Sequence, residues 1–167
     1  MPEHDWTTRT PEPGETLTAG AVTLFCRPPA GATLISGDLG AAIGTLAPAA
    51  PLLGLMERLP DGPFALRIAR DRALLCAAAP PDTEGWQGSF ATSAADDLYL
   101  QIGLHGPGHA DIIAAGTGAP PGAPSAACLF AGTCALLAGD GQGARIWVER
   151  PDAAALWSHL ARLARAL

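Results

Sequence analysis

The sequence of 167 residues predicts an α+β fold. Three observations lead there. Short apolar or alternating runs at 22–26, 33–36, 66–77, 98–104 and 133–150 are punctuated by Gly and Pro, as strands and their turns are. Two brief stretches of helical spacing, at 38–47 and 109–115, lie between them, and a longer amphipathic helix closes the chain. The order strand, Gly-containing turn, short helix, hairpin occurs twice, once over 33–80 and again over 102–151.

Residues up to about 18 hold Pro2, Pro11, Pro13 and Gly14 among polar side chains, so residues 1–19 are expected to form a mobile arm and the fold to begin near Gly20. Val22-Thr23-Leu24-Phe25-Cys26 is β-branched and aromatic; Pro28-Pro29 stops it, and Thr33-Leu34-Ile35-Ser36 resumes an extended run. Asp38 can cap a helix whose Leu39, Ile43 and Leu46 share one face, before Pro48 ends it. Between Pro51 and Pro60, Leu52, Leu53, Leu55, Met56 and Leu59 suggest a further helical turn or two. Leu66 and Ile68 alternate with polar and small residues, Arg70-Asp71-Arg72 makes a turn, and Ala73-Leu74-Leu75-Cys76-Ala77 returns as a more buried strand before Pro80-Pro81. An extended stretch at 89–93 then crosses to the second half.

In that half, Leu98, Leu100, Ile102 and Leu104 fall on one strand face with Tyr99 and Gln101 on the other, the pattern of a sheet covered on one side. Pro107 suits the first turn of the helix that follows, and Gly116 its end. Residues 118–124 read as a loop, and 133–138 and 144–150 as a hairpin around Gly139-Asp140-Gly141-Gln142-Gly143. In the helix from Asp152, Leu156, Trp157, Leu160, Leu163, Ala164 and Leu167 form the apolar stripe, with Arg162 and Arg165 in the last turn. Two β-α-β-β units, with helices on one face of the sheet, make a ferredoxin-like α+β sandwich. One domain over 20–167, with pseudo-repeated halves at about 20–90 and 91–167, is expected.

Composition excludes several function classes. Hydrophobic residues make up 49% and charged residues 16%, too apolar for a disordered chain, and no apolar run approaches the twenty residues of a membrane span. All ten basic residues are arginine, so Schiff-base, phosphate-loop and general-base lysines are impossible. A net charge of −6 with dispersed arginines disfavours nucleic acid. The acidic start Met1-Pro2-Glu3-His4-Asp5 does not resemble a secretory signal, so a cytoplasmic location is expected. Cys26, Cys76, Cys128 and Cys134 lack metal-knuckle spacing and are expected to be free thiols.

No catalytic constellation stands out. His105 and His109 are separated by Gly106-Pro107-Gly108, which places one at a strand end and the other at a helix start rather than together on a metal. That turn also lacks the spacing of a nucleotide fingerprint. Ser93, Asp96, Asp97 and His109 are the residue types of a hydrolase triad without the nucleophile elbow that would assemble them. Core or interface packing explains both Trp147, beside Arg145 and Glu149 on a strand face, and Trp157 on the helix stripe; of the two, Trp147 is the better hint of a partner surface.

Leu100-Gln101-Ile102-Gly103-Leu104-His105-Gly106-Pro107, the helix ending in Gly116, Phe130-Ala131-Gly132-Thr133-Cys134-Ala135-Leu136-Leu137-Ala138 and the tryptophan-bearing last helix together resemble the gamma subunit of heterotetrameric sarcosine oxidase. Cys26-Arg27-Pro28-Pro29 and Leu34-Ile35-Ser36-Gly37-Asp38 resemble that family's amino-terminal segment. The resemblance implies a fold similar to the tetrahydrofolate-binding domain of aminomethyltransferases. It also implies an accessory subunit beside large flavoprotein subunits that oxidise N-methylglycine with FAD, FMN and NAD and pass the one-carbon unit to tetrahydrofolate. It implies no catalytic, cofactor-binding or metal-binding residue in this chain. Gly106, Pro107, Phe130, Gly132, Cys134 and Trp147 are then scaffold and docking residues. A stand-alone folate- or pterin-binding module is the alternative.

Overall fold

In the computed structural model, which describes residues 9–77, 82 and 84–166, the strands are β1 (Thr16–Ala19), β2 (Val22–Arg27), β3 (Ala32–Gly37), β4 (Leu52–Leu53), β5 (Phe64–Ala69), β6 (Arg72–Cys76), β7 (Gly85–Gln87), β8 (Phe90–Ala94), β9 (Tyr99–His105), β10 (Ala127–Phe130), β11 (Thr133–Gly139) and β12 (Gly143–Glu149). Helix α1 (Leu39–Leu46) follows β3, α2 (His109–Gly116) follows β9, and α3 (Arg150–Ala166) ends the described chain. The strands form two six-stranded sheets, ordered β4-β5-β6-β3-β8-β7 and β10-β11-β12-β9-β2-β1. Every pairing is antiparallel except β4 with β5.

The two orders correspond strand for strand. β3, α1, β4, β5 and β6 occupy the places in one unit that β9, α2, β10, β11 and β12 occupy in the other. The flanking hairpins are exchanged. β1-β2, which precedes the first unit in sequence, pairs through β2 with β9 of the second, and β7-β8, which precedes the second, pairs through β8 with β3 of the first. The sheets therefore do not divide the chain at residue 90, and each carries a hairpin encoded beside the other.

Side-chain alternation sets the layers. Leu100, Ile102 and Leu104 of β9, with Val22, Leu24 and Cys26 of β2, pack beneath α2 and α3. Ile35, Ala65, Ala73 and Leu75 pack beneath Leu39 and Ala42 of α1. The remaining faces meet each other: Phe64, Leu66 and Leu74 of the first sheet press against Leu136, Ala138 and Trp147 of the second. The order of layers is thus helix, sheet, sheet, helices.

Local chemistry supports the helices. The Asp38 carboxylate accepts the Ala41 amide hydrogen at 3.0 Å and caps α1. α3 buries Ala153, Leu156, Trp157, Leu160, Ala161 and Ala164 at spacings of three and four, with Asp152 in its first turn and Arg165 in its last. It starts at Arg150, two residues before the expected Asp152, with Pro151 in its first turn. Leu167, expected on the same stripe, Pro80-Pro81 and residues 1–8 lie outside the described residues.

Several expectations are corrected. Residues 51–59 are not helical: β4 pairs with β5, and the amides of Leu55, Met56 and Leu59 donate to the carbonyls of Ala123, Leu137 and Gly139. Those bonds to β11 and to the loop before β10 compete successfully with a helix that Pro51 and Pro60 already shorten. Ordered pairing begins at Thr16 rather than Gly20, because β1 pairs with β2 over its whole length. Residues 85–94 form a hairpin rather than a single extended crossing, and β10 occupies residues 127–130 ahead of the expected Thr133 start. The sheet containing β9 is covered on both faces, so Gln101 is buried instead of wet.

Trp147 is 1% exposed and meets Phe64 edge-on at a centroid distance of 6.0 Å. It is therefore core and the partner-surface reading is overturned, because its strand face is the one the first sheet covers. Trp147→Ala is expected to destabilise the protein by about 3–5 kcal/mol in chemical denaturation, by leaving a cavity between the sheets. Asp38→Ala, which removes only a cap, should lower stability by about 1 kcal/mol.

Candidate functional site

The turn between β9 and α2 is built by close backbone approach. Gly106 has φ 102°, and a Cβ there would collide with the carbonyl oxygen of Ala21. Gly108 donates its amide hydrogen to the same carbonyl at 3.3 Å, so the turn is bound to the β1-β2 connection. Pro107 is exposed and sits in the turn, one residue before the Gly108 cap rather than inside the helix as expected.

His105 ends β9 and His109 opens α2, as the spacing predicts. Each ring spends a nitrogen locally. His105 Nε2 lies 2.8 Å from Asp140 Oδ2, and His109 Nδ1 lies 2.8 Å from the Gly106 carbonyl. A carbonyl only accepts, so Nδ1 carries the hydrogen and Nε2 of the neutral ring is left as an acceptor. Asp96 is likewise committed: its Oδ1 accepts the Ala32 amide at 2.7 Å and ties the start of β3 to the segment leaving β8. No group of three metal-ligating side chains occurs among the described residues.

Phe130, Gly132 and Cys134 come together in the β10-β11 hairpin. Ala131 and Gly132, with φ 52° and 83°, form its two-residue turn, the conformation matched to the twist of paired strands. The Phe130 ring is fully buried against Gly116, where any Cβ would strike it. Cys134 is exposed and pairs across the hairpin with Leu129, itself 64% exposed. Trp86 of β7, at 77% the most exposed large apolar side chain among those described, was hidden in the sequence by a short Gly-flanked segment. The structure thus gathers Phe130, Gly132 and Cys134, sets Gly106 and Pro107 in a separate turn, and buries Trp147 between the sheets.

Two kinds of concavity occur. A cavity of about 550 Å³ runs along α2, lined by Met56, His109, Ile113, Thr117, Ala119 and Pro121. It shares Met56 and His109 with a shallower depression at Arg58 and the β11-β12 turn. Met56 adopts φ 57°, an uncommon conformation for a non-glycine residue, in the segment that crosses between sheets. The second kind is a cavity of about 250 Å³ at the end of the inter-sheet layer, walled by Phe64, Cys76, Gln101 and Arg145 among others.

Burial governs the electrostatics there. Desolvation pushes the Cys76 thiol up to about 12, with Arg145 opposing the rise. The Arg145 guanidinium is shifted down, chiefly by desolvation and next by the like charge of Arg27, with Asp140 and Cys76 opposing. Burial also raises Cys26 and Cys128.

No protein-family model and no curated protein matches the chain. Among solved structures, the fold is similar to a chain of the heterotetrameric sarcosine oxidase from Corynebacterium sp. U-96, determined in complex with pyrrole 2-carboxylate. The TM-score is 0.65 at 19% identity, over 89% of this chain and 85% of that one. The similarity is one of fold, consistent with the α+β architecture.

Cys134 should react first with a thiol reagent in the native protein and Cys76 only on unfolding, measured by mass spectrometry of labelled peptides. The unfolded Cys76 thiol ionises near 9 but the folded one only near 12, so the unfolded state releases a proton that the native state keeps. Its contribution to stability is complete below pH 9 and is lost as pH rises toward 12, by about 1.4 kcal/mol per pH unit. Cys76→Ala should flatten the alkaline limb of the denaturation profile by that slope.

Proposed function

We propose that the chain is an accessory, non-catalytic small subunit, of gamma type, in a sarcosine-oxidase-like heterotetramer. The observation that carries this reading is a shared fold over nearly equal shares of both chains, which makes the matched oxidase chain similar in length to this one. The short motifs around Gly106-Pro107 and Phe130 to Cys134 point the same way. The chain is read as one α+β domain of two related units, acting in the cytoplasm.

In this reading FAD, FMN, NAD and tetrahydrofolate belong to the large flavoprotein subunits, and oxidative N-demethylation takes place there. The turn between β9 and α2 does not suit a dinucleotide phosphate: the Gly108 amide is bonded to Ala21, and the His109 amide to Gly106. What the chain offers a partner is apolar surface on a paired edge, Leu129 opposite Cys134, with Trp86 on the other sheet.

A stand-alone pterin- or folate-binding module is the second reading, favoured by the cavity along α2, whose volume lies in the range of small-molecule sites. The readings separate on purification. A tagged chain expressed with its neighbouring genes should emerge bound to a larger yellow protein, and Leu129→Asp should weaken that association about tenfold or more while the isolated chain melts unchanged. A colourless chain without a partner, whose melting temperature rises with tetrahydrofolate, would overturn the subunit reading in favour of the module.

A further inference from the structure

The small cavity at the end of the inter-sheet layer holds positive charge without an ionic partner among the described residues. Strand register explains the arrangement. Arg27 of β2 is paired with Gln101 of β9, and Arg145 of β12 with Gly103, so the two arginines and the glutamine share the face of the sheet turned toward β5 and β6. Gly103 places no side chain between them. Phe64 and Cys76, paired with each other across β5 and β6, overhang Gln101 and Arg145 from the other sheet.

Arg145 stacks on Trp147, its guanidinium carbon 5.7 Å from the ring centroid, and makes no ion pair with a described residue. Its Nε is buried without a hydrogen-bond partner, and so is Nε1 of the adjacent Trp147. Asp140 acts on it through its charge, but neither nearby acid makes an ion pair with it. Asp140 holds His105 through Oδ2 while its Oδ1 is buried and unpartnered, and Asp61 stands on the cavity wall without an ion pair to Arg145. A desolvated cation beside a second arginine and two orphaned donors is an unfavourable arrangement in the empty protein. A bound anion reverses the balance at Arg145, the cation that lines the cavity, because a charge-assisted hydrogen bond is stronger in a site of low dielectric.

We propose that this cavity binds a small monocarboxylate, with Arg145 as its ionic partner, Gln101 as an amide donor and the Phe64 ring against its hydrocarbon part. The chemistry selects that class. A planar guanidinium matches a carboxylate, the phenyl wall takes up an apolar tail, and the Asp61 carboxylate on the rim opposes a multiply charged phosphate. Cys76 stays a neutral thiol and adds no repulsion. The proposal stands apart from the subunit reading and survives its failure.

The test uses the purified full-length chain and sodium propionate at constant ionic strength, followed by saturation-transfer NMR, with propionamide as the uncharged control. Saturable propionate binding without propionamide binding is expected, weakened about tenfold or more in Arg145→Gln and less in Arg27→Gln. Without propionate, Arg145→Gln should melt no lower than the parent, since it removes an uncompensated charge; a lower melting temperature would mark the arginine as structural and count against the site. Should that variant fail to fold, Gln101→Leu carries the same comparison. Absence of saturable propionate binding in the unaltered protein, or equal binding by the neutral control, overturns the proposal.

Discussion

Face-to-face contact between the two sheets is the constraint on which the rest of this fold depends. Trp147, Leu136 and Ala138 press on Phe64, Leu66 and Leu74, so the second sheet is covered by helices on one side and by another sheet on the other. A strand in that position must be apolar on both faces or hold its polar groups where something satisfies them. β12 does the first at Trp147 and leaves Arg145 at the mouth of the layer, where the contact opens into a cavity. The scaffold and its most unusual electrostatic feature thus have one origin.

Exchange of the flanking hairpins reinforces that contact. Each unit completes its sheet with strands encoded beside the other unit, so separation of the layers would also require β2 to leave β9 and β8 to leave β3. The backbone bonds from Leu55, Met56 and Leu59 to Ala123, Leu137 and Gly139 add a third tie between the halves. Exposed Leu129 and Trp86 lie outside this internal bracing.

Elements with strong local signals were legible in the sequence. Asp38 announced α1, the three-and-four spacing of Leu156, Trp157, Leu160 and Ala164 announced α3, and the hairpin around residues 139–143 followed from its glycines. Residues 51–59 were misleading because their apolar density is local while their hydrogen bonds are not. β1 was obscured by the prolines and glycine that precede it, although Thr16-Leu17-Thr18-Ala19 is extended-compatible. Of the residues singled out in the sequence, Gly106, Phe130 and Gly132 can be explained from local geometry, whereas Trp147 required knowing which sheet face would be covered.

By itself the sequence determined the α+β class, the repeated strand-helix-hairpin order and the exclusion of lysine chemistry, because periodicity, capping and composition act over a few residues or none at all. Tertiary structure alone decided that hairpins are exchanged, that Trp147 is core while Trp86 and Leu129 are surface, and that Gln101 and Arg145 line one cavity with Arg27 on the same sheet face. Those facts depend on register and on which faces pack together. Both are set by contacts between residues as far apart in the chain as Phe64 and Trp147, and no local pattern encodes them.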